Sequence, residues 1–194
     1  MTDKRQKMSL ILLGSKGCGK SSLVHRWTTP GKIPHPDETL AIDVMSHTVV
    51  VKNIHYIIRF WDTAGDDFYD TLLERYVYNS DCCVIVFDVT KTDSWDRAKY
   101  WVEKAMKSNN NSIPICLISN KVDLESSRKI HKKDVQKYVN SIHNKRMVHS
   151  ETSTITGENV KSTYHLIVNF CKKPVREVWS SEHYSDNGSK CLIV

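Results

Sequence analysis

Residues 14–21 read Gly14-Ser15-Lys16-Gly17-Cys18-Gly19-Lys20-Ser21, and this stretch decides the fold. It fits G-x-x-x-x-G-K-[ST], a loop whose backbone N–H groups hold phosphate between a buried strand and a helix N-terminus. An apolar run before it and a helix-compatible stretch after it supply that context. We expect Lys20 to bind the β- and γ-phosphates and Ser21 to bind Mg²⁺, with Ser22 and the rest of the loop completing the phosphate site. A chance glycine-rich loop is the alternative.

Composition indicates one globular domain. The chain has 194 residues, 40% hydrophobic and 26% charged, and no apolar run reaches the ~18 residues that span a bilayer. We expect an N-terminal tail at 1–7, the domain over 8–179, a flexible polar tail over 180–194 and no signal peptide. The six cysteines, at 18, 82, 83, 116, 171 and 191, lack metal-ligand spacing, which predicts reduced thiols in the cytosol.

The net charge of +6 is concentrated in one stretch. Between Arg128 and Arg146 there are seven Lys or Arg residues against Asp134 alone. A solvated helix face is the favoured interpretation, and an anionic lipid surface is the alternative. No nucleic-acid motif accompanies the stretch, so no nucleic-acid partner is expected.

Apolar runs of strand length alternate with amphipathic stretches of helix length. The predicted strands span 9–13, 41–51, 54–61, 82–88, 113–119 and 147–152. The predicted helices span 20–28, 69–79, 95–108, 132–144 and 158–171, the last continuing towards 179. This alternation predicts an α/β fold with a mostly parallel sheet between two helical layers. Only two residues separate the second and third strands, which predicts one antiparallel hairpin.

Two further motifs follow predicted strands. Asp62 ends the third strand before Thr63-Ala64-Gly65, which makes it a second Mg²⁺ anchor and makes the Gly65 N–H a γ-phosphate contact. Asn120-Lys121-Val122-Asp123 ends the fifth strand. The Asp123 carboxylate can accept from the guanine N1–H and exocyclic amine, a pattern that adenine lacks. Asn120 is expected to fix the loop and the base edge, and the Lys121 stem to lie along the base.

The last predicted strand leads into a loop containing Ser153, Thr154 and Ile155. Backbone and hydroxyl groups of this loop are expected to contact the guanine O6 and to support Asp123. With these motifs in this order, the chain closely resembles the Ras superfamily of small GTPases, and within it the Rab proteins.

The resemblance rests further on residues 39–43, 61–65 and 151–160, whose sequences are similar to the corresponding stretches of Rab proteins. It implies the three-layer fold of a P-loop NTPase, with a six-stranded sheet and five helices, that binds GTP or GDP with Mg²⁺. It also implies that Thr39 binds Mg²⁺ and the γ-phosphate in the GTP state only. An ordinary strand-entry residue is the alternative for Thr39.

The chain departs from the family at the catalytic position. Asp66 stands where the family carries the Gln that orients the attacking water, and an anionic side chain without an amide donor predicts slow hydrolysis. Lys16 stands where a small residue is usual. The sequence leaves four alternatives open for the Lys16 side chain: it crowds an incoming arginine, its ammonium stabilises phosphate charge, it pairs with Asp66, or it faces water.

The guanine side also departs from the family. Lys32 replaces an aromatic residue that stacks on the base, while Thr154 and Ile155 replace the usual Ala and Lys. We expect guanine-specific binding with faster release.

The chain ends Cys191-Leu192-Ile193-Val194, a C-a-a-X box. It predicts a prenyl group on Cys191, farnesyl or geranylgeranyl, and an accidental cysteine is the alternative. One lipid chain gives reversible binding, so we expect a monomer shared between the cytosol and the cytoplasmic face of a membrane.

The leading hypothesis is a Rab-like switch that recruits effector proteins through 36–46 and 66–78. The resemblance implies an exchange factor, a GTPase-activating protein and a prenyltransferase as further partners. The catalytic candidates are Lys20, Thr39, Gly65 and Asp66. The rival is a GTP-binding module with negligible hydrolysis. A nucleotide kinase is disfavoured, since it leaves 120–123 unexplained.

Overall fold

The computed structural model describes residues 6–29, 38–51, 54–108, 113–142 and 146–171. The strands are β1 (Gln6–Leu13), β2 (Ile42–Val51), β3 (Ile54–Thr63), β4 (Cys82–Asp88), β5 (Ile115–Asn120) and β6 (Met147–Thr152). The helices are α1 (Lys20–Thr28), α2 (Asp70–Tyr78), α3 (Thr92–Ser108), α4 (Lys132–Ser141) and α5 (Val160–Phe170). Single turns of 3₁₀-helix occur at Asp67–Tyr69 and Glu125–Ser127. Lys32, Cys191 and the predicted tail at 180–194 lie outside the described residues.

One six-stranded sheet has the order β2-β3-β1-β4-β5-β6. β2 pairs antiparallel with β3, and the other neighbours pair parallel. The predicted hairpin and the predicted parallel sheet are both confirmed, as is the α/β fold of a P-loop NTPase.

Helices cover both faces of this sheet, because the central strands are apolar on both sides. Alternate residues of β1 divide between the two cores. Leu10 and Leu12 pack with the buried faces of α1 and α5, while Ile11 and Leu13 pack with those of α2, α3 and α4. The chain therefore forms the predicted three layers.

Element boundaries differ from the sequence prediction in a few places. β1 begins at Gln6 rather than 9, because Gln6 and Lys7 continue the pairing with β3. α3 begins at Thr92 rather than 95, and α5 begins at Val160 rather than 158 because Asn159 adopts a left-handed conformation. No helix in the described part of the chain is both long and apolar enough to cross a bilayer.

The strand register places polar residues at one edge of the sheet. Asp88, Asn120 and Thr152 are direct partners across β4, β5 and β6. Asp62 in β3 is level with Leu12, two residues before the phosphate loop. The carboxyl ends of the parallel strands thus converge where the loop begins, as open α/β sheets require for a ligand site.

Candidate functional site

The phosphate loop lies between β1 and α1 and encloses a lysine ammonium. Lys20 is the first residue of α1 and is buried. Its Nζ donates to the carbonyl oxygens of Gly14, at 2.9 Å, and Ser15, at 3.0 Å. The positive charge is therefore held against the loop backbone, as a phosphate-binding lysine requires.

An asparagine side chain ties this loop to the guanine-side motif. Asn120 is fully buried, and its Nδ2 donates to the carbonyl oxygen of Cys18 at 2.9 Å. Its Oδ1 accepts from the Thr152 hydroxyl at 3.2 Å. Gly19 has φ +105°, and a Cβ there would lie 2.1 Å from Asn120 Nδ2. Only glycine fits beneath this side chain, and the Asn120 amide links the phosphate loop to the end of β5.

The three predicted Mg²⁺ ligands meet beside the loop. The Ser21 hydroxyl lies 3.1 Å from that of Thr39, which in turn donates to Asp62 Oδ2 at 3.3 Å. Asp62 is buried, and its Oδ1 has no hydrogen-bond partner among the described residues. Burial raises the pKa of Asp62 against the opposing hydrogen bonds from Ser21 and Thr39. A buried carboxylate with an unsatisfied oxygen beside two hydroxyls fits a hard cation such as Mg²⁺.

The segment after β3 packs directly on the phosphate loop. A Cβ on Gly65 would lie 2.0 Å from the backbone nitrogen of Lys16, so a side chain there would displace one of the two segments. Asp66 is exposed, and its Oδ1 accepts from the Phe68 N–H at 2.9 Å to cap the 3₁₀ turn. One carboxylate oxygen of Asp66, the residue that replaces the family's glutamine, is thus hydrogen-bonded within its own loop.

Lys16 forms an ion pair with Glu38, in the segment that also carries Thr39. The hydrogen bond to Glu38 raises the pKa of Lys16. Both side chains are largely exposed, 66% and 62% respectively. Asp66 was one partner expected for Lys16 from sequence, but the ion pair in the structure is with Glu38, which was not expected.

The guanine-side loop is held by a second ion pair. Lys121 has φ +66°, and its Nζ lies 2.7 Å from Asp88 Oδ2 at the end of β4. Burial acts to raise the pKa of Asp88, but hydrogen bonds from Lys121 and Thr90 outweigh it and lower the pKa. Asp123 follows on the same loop with an exposed side chain.

The loop after β6 is fixed to α1. Arg26 donates through Nε to the carbonyl oxygen of Thr154, at 2.8 Å, and through Nη2 to that of Ile155, at 2.6 Å. Ser153 and Thr154 are buried, whereas Ile155 is 54% exposed. The three predicted base-side residues are therefore backed by the helix that begins at Lys20.

Comparison with known proteins decides the family. The model of the Ras family matches residues 9–173. The chain belongs to the Ras family. Ras-related protein Rab5 of Nicotiana tabacum is 35% identical over 158 residues, covering 81% of this chain and 78% of its own length. Ras-related protein RHN1 of Nicotiana plumbaginifolia is 34% identical and covers 81% of this chain and 78% of its own length. Ras-related protein RABF2b of Arabidopsis thaliana is 34% identical and covers 85% of this chain and 81% of its own length.

Sequence reasoning missed several residues that shape the site of this Ras-family protein. Asp88 ends an entirely buried strand, and the rule that singled out Asp62 would also have found it. Ser94 bridges two elements: its hydroxyl lies 2.7 Å from that of Ser15 and accepts from the Asp88 N–H at 3.0 Å. Arg26 carried no sequence signal, because its acceptors are carbonyl oxygens more than 120 positions away.

Proposed function

We propose that this Ras-family protein is a Rab-like switch in vesicle trafficking, which binds GTP or GDP with Mg²⁺ and recruits effectors at a membrane. The observation that carries the proposal is the meeting of Ser21, Thr39 and Asp62. It joins the phosphate loop, the segment before β2 and the end of β3 at one point. The Rab5 names of its relatives support the assignment to trafficking.

Different residues of the site contact the phosphates, the guanine base and Mg²⁺. The loop from Gly14 to Lys20 holds the phosphates, and Asp123 selects guanine. Ser21, Thr39 and Asp62 would hold Mg²⁺, which when bound neutralises phosphate charge. Thr39 and Gly65 sense the third phosphate, because they sit on segments that contact the phosphate loop: the first through the Thr39 hydroxyl and the Glu38–Lys16 ion pair, the second through the close approach of Gly65 to the loop backbone.

Exposed apolar side chains mark the surface that an effector would contact. They flank the two segments that sense the third phosphate. They are Leu40 (84% exposed), Val44 (47%), Phe68 (86%) and Leu72 (43%). An apolar surface of this kind on a monomer favours a protein partner. Its shape would change with the nucleotide, because these residues lie on or beside the sensing segments.

Hydrolysis is proposed to be slow, because Asp66 lacks the amide donor of glutamine and carries negative charge towards a γ-phosphate. The cap on Phe68 further commits one of its oxygens. A second candidate follows from the same observation: a binding module with negligible hydrolysis, controlled by nucleotide exchange or abundance. The ion pair of Lys16 and Glu38 favours it, because it places a long side chain beside the segment that bears Thr39.

Single-turnover hydrolysis of Mg²⁺-GTP tests the proposal. We expect Asp66→Gln to raise the rate at least about tenfold, equivalent to about 1.4 kcal/mol in the barrier. Asp134→Gln, on an exposed position of α4, serves as the matched control and leaves the rate unchanged. A wild-type rate equal to or above that of Asp66→Gln, with Lys16→Gly also slower, would make Lys16 and Asp66 a catalytic pair instead. No GTP binding at all would refute the switch.

Membrane attachment is proposed to depend on Cys191. Modification of the full chain by farnesyl- and geranylgeranyltransferase, with Cys191→Ser as the control, identifies the lipid. We expect peripheral, reversible attachment from a single chain. Unmodified wild type with both enzymes would contradict the prenylation proposal.

A further inference from the structure

Three cysteines from separate elements meet inside the domain. Cys82 begins β4, Cys116 is the second residue of β5, and Cys171 directly follows α5. Their Sγ atoms all lie within 4.8 Å of one another, and the side chains are 0%, 2% and 1% exposed. Sγ of Cys82 lies 3.8 Å from Sγ of Cys116. We refer to these three residues as the thiol cluster.

The thiol cluster is separate from the nucleotide site. Cys82 is at the start of β4, whereas Asp88, which contacts Lys121, is at its end. At about 3.3 Å per residue, six residues of strand separate the two by about 20 Å. Nucleotide binding therefore reports on the fold without involving the cluster.

The spacing of the sulfur atoms suits a single soft metal ion. An ion in the plane of three sulfurs, at a bond length of about 2.3 Å, holds them about 4 Å apart. Among the described residues, no imidazole nitrogen or carboxylate oxygen joins the group. Structural zinc sites take four protein ligands, and the described residues supply only the three cysteines. Three thiolates without a fourth ligand instead suit monovalent copper, which is soft and accepts three ligands.

We propose that Cys82, Cys116 and Cys171 form a trigonal thiolate site for monovalent copper. Each copper–sulfur bond replaces a sulfur-bound proton where one is present, and that proton passes to solvent. Copper stays monovalent throughout, so the binding needs no oxidant or reductant. The site links β4, β5 and the end of α5, and occupancy stabilises the folded domain by mass action.

The test uses the reduced full-length chain without oxygen. Copper is supplied as a complex of Cu(I) with a coloured chelator, and its transfer to the protein is followed by loss of colour. We expect one copper per chain and, by X-ray absorption of the wild type, three sulfur ligands. Cys171→Ser is expected to weaken copper binding by more than about 100-fold. This is more than the loss expected from removing a residue that only hydrogen-bonds to a metal ligand.

Two control variants isolate the cluster. Cys83→Ser removes a buried thiol that packs on the opposite face of the same strand, and Cys191→Ser removes the thiol of the terminal box. Both are expected to bind copper as the wild type does. The GDP affinity of every variant checks that the variant is folded. If Cys171→Ser fails to fold, the number of sulfur ligands around copper in the wild type still tests the proposed site.

Three outcomes would overturn the proposal. The first is a wild-type ion with fewer than three sulfur ligands. The second is equal affinity in the wild type and a folded Cys171→Ser variant. The third is no copper transfer, together with a disulfide between two members of the cluster after peroxide treatment, which would make the group a redox pair instead.

Discussion

Asn120 in β5 donates from Nδ2 to the carbonyl oxygen of Cys18, a contact of 2.9 Å across 102 positions of the chain. The phosphate loop and the guanine-side motif are therefore one mechanical unit. The contact is fully buried, so water does not replace it when it is broken.

Substitution of Asn120 is expected to loosen both halves of the nucleotide site. Asn120→Ala removes the bond to Cys18 and leaves the Thr152 hydroxyl without its acceptor. We expect a loss of about 1–3 kcal/mol in GDP affinity, measured by release of a fluorescent GDP. Asn140→Ala, on an exposed position of α4, is the control and leaves release unchanged. Unaltered release from Asn120→Ala would show that the loop holds its shape without this bond.

Arg97 anchors the start of α2 to α3. Its guanidinium pairs with both oxygens of Asp70, lies 3.1 Å from Asp67, and stacks 4.7 Å from the Tyr100 ring centroid. The Arg97 and Asp70 side chains are only 14% and 17% exposed. We expect Arg97→Met to lower the free energy of unfolding by roughly 1–3 kcal/mol, because the largely buried Asp70 carboxylate loses its hydrogen-bond donors.

Limited proteolysis within 66–78 measures the local effect of Arg97→Met separately from global stability. The matched control is Lys99→Met, which removes a more exposed cation that pairs with Asp96 on the same helix. Equal protection of this segment in both variants would contradict an anchoring role for Arg97.

Gly65 is expected to control the response to the third phosphate. Gly65→Ala places a Cβ 2.0 Å from the backbone nitrogen of Lys16, and backbone cannot yield as a flexible side chain would. We expect near-normal GDP binding but a much smaller GTP-induced change in intrinsic tryptophan fluorescence, to which Trp61 in β3 contributes. Gly157→Ala tests the same substitution at a glycine with φ +85° and no atom within 4 Å of the added Cβ. A full fluorescence change in Gly65→Ala would show that the two segments part at no cost.

His149 is expected to make stability depend on pH. Burial lowers its pKa below the usual 6.5 and outweighs the opposing charge of Glu151, while the charges of Lys132 and Arg128 add to the lowering. Its Nε2 lies 2.8 Å from the Ser119 hydroxyl. The folded state therefore binds fewer protons than the unfolded state as pH falls from 6.5 towards the lowered pKa. Stability decreases over that window by at most about 1.4 kcal/mol per pH unit.

Urea unfolding at a series of pH values checks this behaviour. His149→Gln is expected to remove that part of the pH dependence, whereas His131→Gln, at an exposed position, leaves it in place. A wild-type free energy of unfolding that stays flat below pH 6.5, or rises, would contradict the expected loss of stability.

Much of the fold follows from local sequence. The apolar strands and the phosphate loop are each specified within about ten residues, so the alternation of strands and helices, the hairpin and the three layers were predictable. Boundaries depended on tertiary pairing: Gln6 and Lys7 are polar, and only their pairing with β3 makes them strand.

The site was predictable where a motif carries its own chemistry, as at Lys20 and Asp62. The ligand roles themselves stay predictions. Partners contributed by distant segments were not predictable, because nothing near Lys16 indicates Glu38 and nothing near Lys121 indicates Asp88. The thiol cluster escaped prediction for the same reason: its members are 34 or more positions apart in the chain.

The register partnership of Asp88, Asn120 and Thr152 has a consequence for folding. The three residues belong to three different strands, and the loop that Asn120 secures follows a fourth. Contacts between segments so distant in sequence form slowly, after local helices. We therefore expect the nucleotide pocket to be among the last parts of the domain to assemble. Partly folded chains would bind no guanine nucleotide, and nucleotide in the refolding mixture would act by trapping finished molecules rather than by speeding their formation.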